Sequence, residues 1–553
     1  MIETTMSTAH DTTPLIALVI AMALSMLVIP IVWRFAGILG MIDEPGDRKI
    51  HSQAIPRVGG LGIIAGALLA VFSLLNLDPV VTSFILGALV IIVFGIWDDT
   101  HQVGPYVKFF GQILAISIVV FYGDIWIRHL PFTDIDGVSP WVGIPFTYFA
   151  IIGMTNAVNT SDGLDGLAGG ESMLSLIVIA FLAYIAEGIE ASIIAASCIG
   201  GILGFLRYNT HPAQIFMGDT GSQFLGYSLG FLAVLVTQNV HPTLSPALTL
   251  LFLGLPVIDL LAVMVVRVKH GHSPFRADRT HIHHRLLNLG FDHYETVVII
   301  YSIQALLVIS AIFLRYESDL LIMTLYALVA LMIFGLLGYA ERTGWRTGSQ
   351  VQMRTTLFTT VHYFRRHKID IIQLAIRLIS FIIPAYLIIS SLFVDSVPKD
   401  FGMIAAVFFA VMLLDMFYHR QSNGFSLRGG VYIAAIFSVY LVAHSERFSQ
   451  LVYFDVIPFT LLAGSIAIVV RYAMDKKFQT SPMDYLIVFG VLAIAVFGGR
   501  YLQIKDIGVL IVKSMIMLYG CEVLLTRMEK RLNFLNVSVL LTMGILGYRG
   551  LFP

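Results

Sequence analysis

About 18 apolar runs, each near the ~20 residues that cross a bilayer as a helix, fill the chain from residue 14 to residue 550. Short polar connections separate them. Such a pattern fits an all-α, polytopic transmembrane protein and no ordinary soluble domain. Composition agrees, with 57% of the 553 residues hydrophobic and 12% charged. The net charge of −1 points to no particular partner, and no nucleic acid is expected. Cys198 and Cys521 both lie inside apolar runs, where buried thiols are expected, without disulfide or metal-type spacing. The first run, 14–35, is too long for a cleaved signal peptide and reads as a retained span. The runs at 80–97, 141–158 and 190–206 are expected to be short spans.

Lys/Arg asymmetry orients the spans. In the back half, the connections 341–368, 419–428, 471–482 and 526–532 carry 14 Lys/Arg, against 4 in the alternate set. The richer set is expected to be cytoplasmic. Counting back through 18 spans puts 36–57, 98–104, 159–167, 207–219 and 268–294 on the same side, with both termini outward. Those five segments hold nearly every polar residue with chemical potential.

The first is Asp43 to His51 (DEPGDRKIH), continuing to IPRVGG. Arg48 and His51 there suit either membrane-surface anchoring or an anion site for a lipid phosphate. The second is GIWDD, where Asp98 and Asp99 close an apolar run. One Asp would suffice as a cap, whereas two adjacent acids suit a divalent cation or a base beside one. The third, NAVNTSDGLDG, brings Asn156, Asn159, Asp162 and Asp165 together at the edge of hydrocarbon, where polar groups are costly and usually functional. Its oxygens suit Mg²⁺ or a nucleotide. The fourth, FMGDTGS, places Asp219 at a span entry among glycines that let a phosphate or metal approach. Phe216 beside it fits packing, a membrane-interface belt, or a platform for a base. The fifth runs from Lys269 through His281, His283, His284 and Arg285, and its mix of His and Arg favours polyanion recognition over a zinc site. Carboxylates for a cation and basic groups for phosphates on one membrane face suit phosphoryl transfer from a soluble donor to a lipid acceptor.

Together and in this order, DEPGDRKIH…IPRVGG, GIWDD, NAVNTSDGLDGLAGG, FMGDTGS and SPFRADRTHIHHRL resemble the polyprenyl-phosphate N-acetylhexosamine-1-phosphate transferases, the superfamily of WecA, TagO and MraY. The resemblance spans roughly 14–340, and the His281-Ile-His283-His284-Arg285 form is similar to the WecA/TagO branch. It implies ten or eleven spans around a cytoplasmic cleft in a bacterial plasma membrane. It also implies transfer of a sugar 1-phosphate, most simply N-acetylglucosamine 1-phosphate, from a UDP-sugar to undecaprenyl phosphate. UMP would be released, with Mg²⁺ or Mn²⁺ required, at the start of a lipid-linked surface glycan. Asn159 and Asp219 would then bear on the metal, and Asp98 and Asp99 would be the essential acid pair. Asp162 and Asp165 would line the nucleotide pocket, Phe216 would stack on uracil, and Asn156 belongs to the same motif. His281, His283, His284 and Arg285 would contact the donor's diphosphate or sugar, with His281 counted among the catalytic residues and Arg48 and His51 among the substrate contacts. Other UDP-N-acetylhexosamines and the muramoyl-pentapeptide donor are the nearest alternatives. A secondary transporter is the rival of a different class, and would place acids at the bilayer midplane within an inverted repeat.

The expected domains are 1–340 for the transferase, a basic linker 341–368, and a membrane region 369–553 of about seven spans that the family core does not need. Arg377, Asp415 and Lys513 within it read as snorkelling or paired charges. Docking of a later enzyme of the glycan pathway would account for the size of the extension.

Overall fold

A computed structural model describes residues 3–44, 54–133, 137–269, 271, 273, 280–347, 371–418, 425–449, 452–472, 507–527 and 532–552. Arg48 and His51 lie outside these, as do the expected span 483–499, Arg365 to Lys368 and most of the linker. The described residues fall into two compact units, the first reaching Thr347 and the second starting at Ile371.

The first unit contains α1 (Glu3–Phe35), α2 (Gly59–Leu74), α3 (Pro79–His101), α4 (Pro105–Phe121), α5 (Pro140–Ser161), α6 (Leu167–Ile185) and α7 (Ile189–Asn209). After these come α8 (Gly218–Leu235), which ends in a π turn at Val236–Val240, α9 (Leu248–Lys269), the short α10 (Ile282–Asn288), α11 (His293–Phe313) and α12 (Asp319–Arg342). A two-residue antiparallel pairing of Ile42–Asp43 with Ile55–Pro56 precedes α2. Among the described residues of the whole chain, 11 helices are long and apolar enough to cross a membrane, and five shorter apolar helices accompany them.

The three spans expected to be short are not. Helices α3, α5 and α7 have 23, 22 and 21 residues, whereas α2 and α4 have 16 and 17. The reason is that helix continues through the polar ends Trp97–His101, Asn156–Ser161 and Arg207–Asn209, because lost hydropathy does not break a backbone hydrogen-bond ladder. Asp98, Asp99 and Asn159 therefore stand on last helical turns instead of in loops, with Asn156 one turn further in. Pro79, Pro105 and Pro140 start α3, α4 and α5, where a missing N–H costs nothing. Asp78 caps α3 by accepting from Val81 N–H at 2.7 Å, and Asp292 with Glu295 forms a capping box on α11.

Helix α8 is the post of this unit. Every residue from Thr220 to Gln238 is buried, and α2, α3, α5, α6 and α7 all pack on it. Helix α9 is broken at Gly254, whose φ of +53° is left-handed, two residues before Pro256. The freed backbone groups are paired across helices. Leu255 N–H donates to Gln304 Oε1 at 2.8 Å, and Tyr326 Oη donates to the Gly254 carbonyl at 3.0 Å.

The second unit contains α13 (Ile371–Phe393), α14 (Lys399–Tyr418), α15 (Phe425–Ala443), α16 (Glu446–Ser449), α17 (Val452–Tyr472), α18 (Ile507–Arg527) and α19 (Leu532–Leu551), and has its own apolar core. Arg549 donates to the carbonyls of Ser391 and Leu392 at 2.9 and 3.0 Å, closing the C-terminal end of α13. Arg377 is exposed, as a snorkelling residue would be, and the Lys513 ammonium lies 6.0 Å from the centre of the Phe459 ring. The side chain of Asp415 is outside the described set.

Candidate active site

Three helix ends carry the acids. Asp99, near the end of α3, points at the start of α8, whose first N–H groups have no partners within the helix. Its carboxylate accepts from Asp219 N–H at 2.8 Å and Thr220 N–H at 2.9 Å, and also takes the Thr220 hydroxyl. Gly218 makes room for this with a φ of +73°. A Cβ there would stand 2.8 Å from an Asp99 oxygen. Asp98, only 3% exposed, faces elsewhere and pairs with the Lys108 ammonium. Lys108, one turn into α4, also reaches Asp219 Oδ1 at 3.3 Å. The adjacent acids thus divide their work, one holding the α8 start and the other a cation that Asp219 shares. Lys108 was not among the residues expected from sequence. The available signal was that it is the sole charge in the apolar helix 105–121.

The α5 end meets the same turn of α8. Asn159 Oδ1 accepts from Ser222 Oγ at 2.7 Å. Asn156 donates to Gln112 Oε1 at 3.0 Å and to the Ile152 carbonyl at 2.8 Å, and Gln112 continues to Gln223 Oε1 at 3.3 Å. Asn156 is thereby a strut between α4, α5 and α8.

Asp162 and Asp165, three residues apart, are driven in opposite directions. Burial, followed by the charges of Asp219, Asp99 and Asp165, pushes Asp162 up to about 7, with Arg57 opposing. Burial also acts upward on Asp165, but hydrogen bonds from His211 (2.6 Å) and Ala213 N–H (3.0 Å) outweigh it and hold the carboxyl below its ordinary value. His293 stacks on His211 at 4.1 Å, and its Nε2 lies 3.2 Å from the Asp165 carbonyl oxygen. Asp165 therefore ties the α5–α6 turn to the α7–α8 connection and the start of α11. Phe216 is partly buried. Its N–H donates to the Pro56 carbonyl at 2.8 Å and its own carbonyl accepts from Gly59 N–H at 2.9 Å, locking the entrances of α2 and α8 together.

The Asp162 shift has a testable consequence. Between its ordinary 3.8 and about 7, the folded protein keeps a proton that the unfolded chain has released. Stability from this group therefore falls as pH rises through that window and stays lost above it. Asp162→Asn should gain in melting temperature over the wild type on going from about pH 5 to about pH 8.5 without divalent metal. Added Mg²⁺ should shrink that gain, and a gap independent of pH would disprove the assignment.

The histidine segment closes the site. His281 Nδ1 meets Asp259 Oδ2 at 2.8 Å, and Ile282 N–H donates to Asp259 Oδ1 at 2.9 Å. The His283 ring lies parallel to His281 at 5.8 Å, with the His284 ring 4.2 Å away. Burial, then the neighbouring His284 and His281, pushes His283 down to about 3, so it is neutral at physiological pH. Its Nε2 abuts Gly163, where a Cβ would come within 2.4 Å. Arg285 turns away. It makes a two-point pair with Glu341 at 2.7 and 2.8 Å and fixes α10 to the end of α12.

A cavity of about 930 Å³ opens beside these groups. Lys108, Asn156, Asn159, Arg267, His281, His283 and His284 line one end. The rest follows α5 and α9 past Phe149, Ile152, Leu253, Val257, Leu260 and Met264 to His129 and Gln238. From Phe146 to Thr160 it tracks roughly 20 Å of α5. Of the residues expected from sequence, Asn156, Asn159 and the three histidines line it. Asp98, Asp99, Asp162, Asp165, Phe216, Asp219 and Arg285 are not among its lining residues, although Lys108 links Asp98 and Asp219 to it. Asp259, Arg267 and Lys108 complete the site and were missed.

Two donor sets could hold a metal. Asp165, His211 and His293 place ligand atoms within 4.8 Å of one another, a mixed nitrogen–oxygen set. Asp219, Asn159 and Asp162 supply hard oxygens, and a divalent cation would offset the charge repulsion that, after burial, raises Asp162.

The sequence model of glycosyl transferase family 4 matches residues 81–237. A probable undecaprenyl-phosphate N-acetylglucosaminyl 1-phosphate transferase of Bacillus subtilis is 37% identical over 321 residues, which are 58% of this chain and 89% of that protein. An undecaprenyl-phosphate alpha-N-acetylglucosaminyl 1-phosphate transferase of Yersinia pestis is 29% identical, over 56% of this chain and 86% of its own. A decaprenyl-phosphate N-acetylglucosaminephosphotransferase of Mycobacterium tuberculosis is 32% identical, over 48% and 73%. With motifs, polar helix ends and relatives in agreement, the chain belongs to glycosyl transferase family 4 and is a multi-pass membrane phosphoglycosyl transferase.

Proposed function

We propose that the protein transfers N-acetylglucosamine 1-phosphate from UDP-N-acetylglucosamine to undecaprenyl phosphate. An acceptor phosphate oxygen attacks the sugar-bearing phosphorus, the diphosphate bridge breaks, and UMP leaves. The observation that carries this reading is one cavity that joins a cationic, histidine-rich end to an apolar length. It suits a lipid whose phosphate must meet a soluble diphosphate. Lipid phosphate is largely dianionic at neutral pH and needs no general base. Lys108 then neutralises the entering charge, with Asp98 positioning it, and Arg267, His281 and His284 face the donor diphosphate. Asp162, Asp165 and Phe216 form the nucleotide wall, and Arg48 and His51 add anion contacts. Arg285, spent on Glu341, steadies the histidine segment.

Family 4 phosphotransferases generally depend on a divalent metal. Mg²⁺ or Mn²⁺ would be held by Asp219 and Asn159 and would supply charge neutralisation at the transferred phosphate. The catalytic face is proposed to be cytoplasmic, in a bacterial plasma membrane. Residues 369–553 are proposed to form a separate membrane domain that docks a later enzyme of the glycan pathway, and full glycan output from a chain ending near residue 345 would remove that role.

The function is tested with the purified full chain, undecaprenyl phosphate, Mg²⁺ and UDP-N-acetylglucosamine, UDP-N-acetylgalactosamine or the muramoyl-pentapeptide donor in parallel. UMP release is expected to be fastest with the first. Release with none of them would overturn the reading.

A further inference from the structure

The structure assigns Asp259 as the positioning residue that fixes the ring of His281 and the atom it offers to the cavity. The inference rests on the proposed transferase reading and extends it to a residue inside an apolar helix. Asp259 stands five residues beyond the break in α9 and is 6% exposed. A carboxylate at that depth is costly unless its oxygens are used. Both are. Oδ1 receives the N–H of Ile282, the first residue of α10, and Oδ2 receives His281 Nδ1. His281 is the N-cap position of α10 but makes no side-chain cap of its own, so Asp259 holds the helix start and the ring together.

This engagement orders the two ring nitrogens. A carboxylate oxygen at 2.8 Å calls for a proton on Nδ1, which leaves Nε2 to meet whatever enters the cavity that His281 lines. His283 has no such backing. Its Nε2 is closed against Gly163, and it lies parallel to His281 as a neutral wall. Of the two buried histidines, only His281 is held by a dedicated carboxylate, with Nε2 turned into an acceptor for a proton-bearing group of the donor such as a sugar hydroxyl.

Asp259→Asn separates the two duties of the carboxylate. The amide oxygen can still accept from Ile282 N–H, while the amide N–H facing Nδ1 forces the ring proton onto Nε2. UMP release per folded molecule should fall about 100-fold, with the melting temperature close to that of wild type. His281→Ala should fall to a similar level, and Asp259→Asn should cost nothing further in that background. Asp259→Glu keeps the charge and serves where the amide variant does not fold. It should recover rate relative to Asp259→Asn, and its remaining loss should likewise vanish beside His281→Ala. Near-wild-type rates in Asp259→Asn, or losses that multiply with His281→Ala, overturn the assignment. A wild-type protein that releases no UMP from any UDP-N-acetylhexosamine would instead sink the functional reading on which the assignment stands.

Discussion

Lys108→Met should lower kcat for UMP release by about 10²–10³-fold while the protein still folds. The ammonium touches Asp98 and Asp219 at once. Each charge-assisted contact is worth roughly 1.5–3 kcal/mol, and removing the cation also leaves like charges facing one another near the α8 start. The acceptor phosphate would then arrive without a counter-charge, beside the two acids that Lys108 had held. Asp98→Asn in the Lys108→Met background should recover part of the rate, because the amide removes the repulsion that the first change created. Lys108→Arg should recover less than a simple charge count suggests, since a planar guanidinium cannot take the place of a compact ammonium between two carboxylates. A Lys108→Met enzyme within threefold of wild type would show that the cation is only a membrane-surface charge.

The second large effect is on Asp99→Ala, and it should be read first in stability. Three donors lose their acceptor together: the N–H groups of Asp219 and Thr220 and the Thr220 hydroxyl. Thr220 is fully buried, so water cannot replace the carboxylate there. The cost should be about 3–5 kcal/mol, measured by denaturant titration in detergent, with activity falling in step because Asp219 rides on the same turn. Asp99→Asn should be intermediate, since one amide oxygen can serve part of the set. The two variants separate capping from proton transfer. If Asp99→Asn abolished turnover with an unchanged denaturation midpoint, Asp99 would be acting on the reaction and not on the helix.

The fold class was legible because hydrocarbon imposes long apolar runs, and every expected span within the described residues falls on a helix. Span lengths were less so. Hydropathy falls at Asp98 or Asn159 while the backbone remains helical, so chemical polarity was mistaken for a helix end. The candidate site was legible wherever polar residues cluster in sequence, as at Asn156–Asp165 and His281–Arg285. It was not legible where one charge works alone within an apolar helix. Lys108 and Asp259 are single letters in hydrophobic surroundings, and their partners lie 111 and 22 residues away in sequence. Arg285 shows the converse error. It sits in the right cluster, but its fork points at Glu341, a pairing 56 residues away that no local pattern announces.

The break in α9 has a mechanical meaning. Beyond Gly254 one rigid arm bears Val257, Leu260 and Met264 on the cavity wall, and the same arm bears Asp259, which grips His281. At its root, Gln304 and Tyr326 form the bearing, tethering the arm to α11 and α12. Wall and histidine therefore share one lever. A change at Gly254, Gln304 or Tyr326 thus bears on the cavity wall and on His281 together.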